Sequence, residues 1–275
     1  MLRSLVMQCK YIDTHCHLQF EQYKDDDRAL IERMYEAEVA GIVVGVDLES
    51  SKKAVALAET HEHLFASIGL HPNREGDEWY NVSEYRELAK SPKVVAIGEC
   101  GLDYYRPIEV NTEVKRKQKA IFHDQIVLAV ELDKPLIIHA RPNKGTHDAY
   151  HDLIGILQEA KGTHPNLRGD IHFFVGGVAE AQMLIALDFT VSFTAVITFA
   201  RDYDEVIRAV PLISILSETD APYVAPASRR GALNDPLSII EVVAKIAHIR
   251  NENPETVRQT LLTNAERLFA LPKLS

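Results

Sequence analysis

The chain has 275 residues, of which 46% are hydrophobic and 25% are charged, close to the average of soluble globular proteins. This composition excludes a disordered chain, and no segment reaches the roughly 20 apolar residues of a membrane span. The formal net charge is −10, which gives no overall attraction for nucleic acid. Recognition of phosphate must therefore be local or supplied by a metal.

Cysteine usage and the lack of linkers suggest the compartment and the domain organisation. Cys9, Cys16 and Cys100 form no C-x-x-C motif, and residues 1–10 lack the apolar stretch of a signal peptide. We therefore expect a cytoplasmic protein without disulfides and without membrane attachment. Residues 1–10 are interpreted as an N-terminal lead-in and residues 11–275 as one domain, because no Gly/Ser/Pro-rich linker divides them. We expect a monomer.

Short apolar or β-branched runs alternate with helix-length segments along the chain, which predicts β-α units around a parallel sheet. The predicted strands are 11–13, 41–46, 64–69, 94–98, 135–139, 169–173, 190–193 and 213–217. The predicted helices include 27–40, 51–61, 115–132, 178–187 and 203–210, with two more after residue 236. Eight strands in a chain of 275 residues, close to the roughly 250 that are typical of the fold, favour a single-domain α/β fold, the TIM (β/α)8 barrel.

Residue types that bind metals follow many of these strands. Active sites of such barrels lie at the carboxyl ends of the strands. The residues at these ends are His15 and His17 (first strand), His71 (third), Glu99 (fourth), His139 (fifth), His172 (sixth) and Glu218 with Asp220 (eighth). Since residues i and i+2 of a strand point the same way, the first two imidazoles can converge on one cation. So many placements at one edge favour a metal site.

Two other histidine pairs are weaker candidates. His61 and His63 precede the third strand and so fall at the opposite end of the barrel, where polar residues normally serve stability. His147 and His151 share one helix face by their i, i+4 spacing, but a pair without a third ligand is more typical of a polar helix surface. The basic run 115–119 begins an amphipathic helix and is interpreted as its solvated face.

The mixture of imidazole and carboxylate suits two divalent cations, with Zn²⁺, Mn²⁺ and Mg²⁺ as candidates. Two cations about 3.5 to 4 Å apart stabilise the attacking and leaving oxygens of an in-line displacement and lower the pKa of bound water. Asp220 is then the expected general base. We expect the first cation to bind His15, His17, Asp220 and one oxygen of Glu99, and the second to bind His139, His172 and the other oxygen of Glu99.

The motifs together resemble the TatD-like family of metal-dependent deoxyribonucleases, within the amidohydrolase-type barrels. They are Ile12-Asp13-Thr14-His15-Cys16-His17, Gly69-Leu70-His71-Pro72, Gly98-Glu99-Cys100-Gly101-Leu102-Asp103, Pro135 to Arg141, His172-Phe173-Phe174 and Glu218-Thr219-Asp220-Ala221-Pro222. The resemblance implies a binuclear site with the ligands above and hydrolysis of DNA strand ends or small phosphodiesters, often from the 3′ end. It also implies that His71, Arg141 and Arg230 lie near substrate phosphate.

Two departures from the family pattern concern specificity. The family usually has a hydroxyl residue where this chain has Val175, so a hydroxyl contact to substrate is expected to be absent. Residues 142–147 replace a compact acidic turn and are expected to lie over the mouth. Neither change removes an expected metal ligand.

Two alternative functions stay open. The same activated water can attack a carbonyl, which would make the protein an ester or amide hydrolase, for example one that cleaves an aminoacyl ester on transfer RNA. The second alternative is a barrel that binds metal but serves as a scaffold and not as an enzyme.

Overall fold

The computed structural model describes residues 8–73, 80–106 and 110–274. Eight parallel strands, paired in chain order, form a nearly closed TIM barrel, as predicted. The strands are β1 Tyr11–Cys16, β2 Val39–Val44, β3 Leu64–Ile68, β4 Val94–Asp103, β5 Leu136–Arg141, β6 Gly169–His172, β7 Phe189–Phe193 and β8 Ile215–Ser217. The helices are α1 Asp27–Glu36, α2 Leu48–Thr60, α3 Val82–Leu88, α4 Thr112–Glu131, α5 Asp148–Thr163, α6 Val178–Ile185, α7 Asp204–Ala209, α8 Ile239–Arg250 and α9 Pro254–Leu268.

Some predicted boundaries differ from the structure. The first helix was expected to run to Ala40, but α1 ends at Glu36 and β2 begins at Val39. Glu38 adopts a positive φ of 57°, which turns the chain out of the helix before the apolar run that β2 buries. The helix ranges given from the sequence did not include α3 and α5, although α5 buries Leu153, Ile154 and Leu157 at helical spacing.

Strand β4 is longer than predicted, and this changes the mouth of the barrel. It continues beyond residue 98 to Asp103, with a register shift against β5 between Ile97 and Cys100. The irregularity lets the strand carry Glu99 and also present Asp103 at its end. Two acidic residues of one strand therefore reach the same region.

The core has two parts. The larger packs the outward faces of the strands against the helices, for example Leu136 and Ile138 of β5. The second joins strand residues such as Ile12 and Ile42 to the last turns of α9 around Leu268. Helix α9 thus closes the end of the barrel at which the strands begin. Within the described residues, no helix combines the length and the apolar character needed to cross a membrane.

The first and last strands meet at the mouth through backbone hydrogen bonds. The N–H of His17 donates to the Ala221 carbonyl at 2.8 Å, and the N–H of Asp220 donates to the His15 carbonyl at 2.9 Å. Below them, the buried carboxylate of Asp13 accepts hydrogen bonds from the backbone N–H and the hydroxyl of Thr219. These bonds place residues from opposite ends of the chain side by side.

Candidate metal centre and active site

A cavity of about 710 Å³ opens at the carboxyl ends of the strands. Its lining includes five of the expected metal ligands, namely His17, Glu99, His139, His172 and Asp220. His15, the sixth, lies directly behind them, with its ring stacked on that of His172 at 3.5 Å between centroids. The structure therefore brings all six residues together, although they come from five different strand ends.

The first group surrounds His15 and His17. Their Nε2 atoms are 3.3 Å apart. The His15 Nε2 is 3.6 Å from Glu99 Oε2, and the His17 Nε2 is 3.5 Å from Asp220 Oδ1. These four side chains are the set expected for the first cation.

The second group surrounds the other oxygen of Glu99. Glu99 Oε1 is 3.1 Å from His139 Nδ1 and 3.9 Å from His172 Nε2. The two oxygens of one carboxylate thus face two different groups of histidines. This is the arrangement that a bridging carboxylate requires.

In three of the histidines, the ring nitrogen that faces away from the other expected ligands is hydrogen-bonded. These contacts show whether the site fits a metal. The His17 Nδ1 contacts the Val44 carbonyl at 2.8 Å, and the His172 Nδ1 contacts Glu218 Oε2 at 3.0 Å. The His139 Nε2 contacts Asp103 Oδ2 at 3.1 Å. In a neutral imidazole, each contact favours the hydrogen on the outer nitrogen, which leaves the inner lone pair for a ligand, as in known metal sites. The donor set therefore fits divalent cations.

Backbone geometry at β4 and β8 contributes to the placement. Gly98 has φ +153°, and a Cβ there would lie 2.4 Å from the Ile137 carbonyl oxygen, so only glycine fits before Glu99. Asp220 has a positive φ of 55°, a region that Asp tolerates better than most residues. Backbone strain of this kind is concentrated at functional sites.

Both carboxylates of the centre are ionised at neutral pH. Burial acts to raise the pKa of Glu99, but the contacts with the surrounding histidines outweigh it and hold that pKa well below its ordinary range. Burial likewise opposes ionisation of Asp220, yet its contact with His17 lowers the pKa overall. Ionised carboxylates are the form that binds a cation.

The histidines differ in their proton affinity. Burial lowers the pKa of His71 to about 3, despite the nearby charge of Glu99, so this imidazole is neutral. Burial also opposes protonation of His139, but Asp103 and Glu99 raise its pKa to about 9. Binding of a metal to His139 must therefore displace a proton.

The three residues expected near phosphate occupy different positions. His71 lines the cavity, with Nε2 3.5 Å from Glu99 Oε1. Arg141 also lines it, and its guanidinium lies 4.2 Å from the centre of the Tyr105 ring. Arg230 lies outside the lining, with its guanidinium 3.9 Å from the centre of the Phe199 ring.

The weaker histidine pairs lie away from the centre. His63 is buried just before β3, at the end of the barrel opposite the cavity. His147 precedes α5 and contacts Glu180 at 3.1 Å, while the His151 ring is 6.3 Å away. Among the described residues, the His/Cys/Asp/Glu groups close enough to hold a metal all lie at the mouth.

The departures from the family pattern border the same cavity or its rim. Val175 is 39% exposed and lines the cavity, so this part of the wall is apolar. Residues 142–147 connect β5 to α5, and the Asp148 carboxylate anchors this connection by accepting from the Asn143 N–H and the Thr146 hydroxyl.

For three residues of the site, the sequence analysis assigned no role. Glu218 and Asp103 contact the outer nitrogens of His172 and His139, and Arg106 lines the cavity. The available signal for Glu218 was its position at the exit of β8. Asp103 and Arg106 were hidden because the fourth strand was predicted to end five residues too early.

Comparison with known proteins agrees with this geometry. The chain matches the family model described as TatD related DNase over residues 12–270. It is 35% identical over 263 residues to the protein named uncharacterized metal-dependent hydrolase YabD of Bacillus subtilis, covering 94% of this chain and 98% of that protein. It is 32% identical over 272 residues to the similarly named YjjV of Escherichia coli, covering 97% and 100%.

Solved structures give the same result. The crystal structure of YjjV, a TatD homolog from Escherichia coli, superposes with a TM-score of 0.85 at 30% identity, covering 96% of this chain and 99% of that one. A TatD family hydrolase from Entamoeba histolytica shares the fold, with a TM-score of 0.81 at 20% identity, covering 95% and 98%. The chain belongs to the family of TatD-related DNases and is a metal-dependent hydrolase.

Proposed function

We propose that the protein is a deoxyribonuclease that removes nucleotides from the 3′ ends of DNA strands. The observation that carries this proposal is the orientation of Glu99, whose two oxygens face separate groups of histidines. A pair of cations sharing one carboxylate suits in-line displacement at phosphorus. The match to a DNase family model supports DNA as the substrate.

Six residues would hold the cations in this proposal. They divide into two groups that share Glu99: His15, His17 and Asp220 in one, His139 and His172 in the other. Divalent cations held there supply Lewis acidity and a more acidic bound water at neutral pH. Mg²⁺, Mn²⁺ and Zn²⁺ are the candidates, because mixed imidazole and carboxylate ligands accept all three.

Asp220 is the proposed general base. Its carboxylate lines the cavity and is ionised, with Oδ1 directed at His17. An ionised carboxylate at this position can accept the proton of an attacking water. The neutral His71 and the cation Arg141, both in the lining, are proposed to bind phosphate oxygens, and Arg230 is proposed to contact the strand at the rim.

The size and charge of the site favour a strand end over a long duplex. A cavity of about 710 Å³ is in the range that encloses small ligands. Proteins that bind along duplexes neutralise many phosphates with Lys and Arg, which a chain with net charge −10 does not favour. A single terminal nucleotide needs only the few donors of the mouth.

The test is hydrolysis of an internally labelled single-stranded oligonucleotide by purified protein with Mg²⁺, Mn²⁺ or EDTA. Blocking either the 3′ or the 5′ end gives the direction. We expect stepwise shortening that requires a metal and a free 3′ end. Asp220→Asn should abolish it, whereas Asp202→Asn, an exposed residue outside the cavity lining, should not.

The same preparation distinguishes the alternative chemistry. Turnover of an aminoacyl ester on transfer RNA, with no cleavage of DNA by metal-loaded protein, would replace the proposal with an ester hydrolase. Absence of turnover on both substrates would favour a metal-binding scaffold.

A further inference from the structure

Arg106 is a cation in the wall of the cavity with no role in the function proposed above. It follows β4 by three residues, and its side chain is 49% exposed. It lines the cavity together with His71, Asn73 and Tyr223. Within the described parts of the chain, no hydrogen bond engages its two Nη groups. A guanidinium in this situation has donors available to a molecule that enters the cavity.

Contacts with Asp103 fix the position of Arg106. The Oδ1 atom of Asp103 accepts hydrogen bonds from the backbone N–H groups of Tyr105 and Arg106, each at 2.9 Å. Its Oδ2 atom is 3.1 Å from His139 Nε2 and 3.7 Å from Arg106 Nε. One fully buried carboxylate thus holds both a histidine of the metal centre and the base of the arginine side chain.

His71 presents a second donor to the same space. Its Nδ1 accepts a hydrogen bond from the backbone N–H of Asn73 at 3.0 Å, so the ring hydrogen is on Nε2. That nitrogen lies 3.5 Å from Glu99 Oε1, and both residues line the cavity. His71 is therefore a hydrogen-bond donor in this arrangement and has no free lone pair for a metal.

We propose that Arg106 and the Nε2–H of His71 form an anion subsite for an oxygen of the substrate's phosphate, with Asp103 as the positioning residue that keeps Arg106 aligned with His139. The ligand class is a phosphate monoester or diester anion. The inference deepens the proposed function, since it concerns the same cavity, but it holds for any phosphate ester.

The chemistry of the guanidinium supports this assignment. Arginine presents a planar fork of donors that matches two phosphate oxygens, and these charge-assisted bonds are about twice as strong as neutral ones. Because Asp103 is engaged by two backbone N–H groups and by His139, it holds the Nε side of Arg106 without capping the Nη groups. The fork remains available to the substrate.

The experiment uses inorganic phosphate as the probe and the Mn²⁺-loaded protein. Its affinity is measured by isothermal titration for the natural protein, for Arg106→Gln and for Arg201→Gln. Arg201 follows β7 at the same end of the barrel, is 66% exposed and pairs with Asp204. It is a matched control for the loss of one positive charge near the mouth. Bound Mn²⁺ is quantified in each protein.

We expect Arg106→Gln to weaken phosphate binding at least tenfold at full metal content, and Arg201→Gln to change it less than twofold. Equal effects of the two variants would overturn the proposal. So would a parallel loss of phosphate affinity and of Mn²⁺ in Arg106→Gln, since that result would mean that Arg106 only supports Asp103 and the metal centre.

The outcome is separable from that of the proposed function. DNA cleavage with an unchanged KM in Arg106→Gln would keep the nuclease and remove the subsite. Loss of phosphate affinity in Arg106→Gln, in a protein that does not cleave DNA, would keep the subsite and direct the search to other phosphate esters.

Discussion

Glu218 fixes the orientation of His172. Its Oε2 atom lies 3.0 Å from Nδ1 of His172, and its Oε1 atom accepts the backbone N–H of Phe173 at 2.7 Å. When Glu218 is ionised, both oxygens of this fully buried carboxylate are acceptors, and a neutral imidazole then carries its hydrogen on the outer nitrogen. The inner Nε2 is thereby kept as an acceptor facing Glu99 and Asp220.

Replacing Glu218 by Gln should weaken the preference of His172 for a hydrogen on its outer nitrogen. A carboxamide has one acceptor and one donor, so whichever way it is oriented, either Phe173 or His172 faces an N–H group. We expect metal affinity to fall by about 10- to 100-fold, the usual effect of losing such a partner. Competition with a chromogenic chelator measures it. Glu49→Gln, at an exposed position, is the control, and an unchanged affinity in Glu218→Gln would refute the orienting role.

Asp220→Asn should separate proton transfer from architecture. Asparagine keeps the shape and the backbone N–H bond to His15 but cannot accept a proton at neutral pH. General-base catalysis contributes about 10²- to 10⁴-fold, and we expect a loss of kcat in that range or greater, because a ligand is also weakened. Steady-state kinetics at saturating Mn²⁺ test this. A loss below tenfold would exclude Asp220 as the base.

Removal of metal should destabilise the fold. The cations bind side chains that only the folded barrel brings together. A free cation concentration of 100 times the dissociation constant therefore adds about 2.7 kcal/mol to the free energy of unfolding. In a domain of this size, that corresponds to a Tm increase of about 5–10 °C. Differential scanning calorimetry with EDTA and with added Mn²⁺ or Zn²⁺ gives the difference. Identical melting curves would mean that no cation binds the folded protein.

Asp13→Ala should weaken the closure of the barrel. The substitution leaves three buried donors, the backbone N–H groups of His15 and Thr219 and the Thr219 hydroxyl, without their acceptor. Unsatisfied buried donors cost about 1–3 kcal/mol each before relaxation, and we expect a total loss of about 2–4 kcal/mol. Urea unfolding of metal-free protein measures it. Asp26→Ala, at an exposed position, is the control.

His63 should make stability depend on pH. Burial lowers its pKa to about 4, against about 6.5 in an unfolded chain. Between these values the unfolded state binds more protons than the folded state, so stability decreases as the pH falls from about 6.5 to about 4. One pKa unit corresponds to about 1.4 kcal/mol. After allowance for partial solvation we expect the His63 contribution to be roughly 1–2 kcal/mol.

The measurement compares unfolding free energies of metal-free protein at pH 7 and pH 4.5 in the natural chain and in His63→Leu. The variant should lose less stability on acidification. His123→Leu, at an exposed position of α4, is the control for the substitution itself. Parallel pH profiles in the natural chain and His63→Leu would show that burial of His63 carries no such cost.

The barrel and most of its centre follow from local sequence signals. In β5 and β8, a short apolar run precedes the polar residues at the end of the strand, which are therefore visible in the sequence. For example, His139 follows the apolar run of β5 directly. The common edge then follows from the architecture, because parallel strands of a barrel end on one face.

What the sequence did not reveal depends on irregular backbone and on contacts between distant segments. The register shift in β4 brings Asp103 to the mouth, and no periodic pattern marks such a shift. The contact between Glu218 and His172 joins residues 46 positions apart. The exact end of α1 depends on the left-handed backbone at Glu38, which helix propensity does not indicate.

Helix α9 closes the end of the barrel at which the strands begin, and this also affects how the polypeptide can be re-engineered. The N–H of Cys9 donates to the carbonyl of Leu274 at 2.6 Å, so the two ends of the described chain are neighbours on the side away from the cavity. A short linker could join these two ends, and new termini could be opened in an exposed turn on that same side. The result would be a circular permutant in which the order of the strands around the barrel is unaltered. Fusion partners or affinity tags attached there would leave the entrance for the substrate clear.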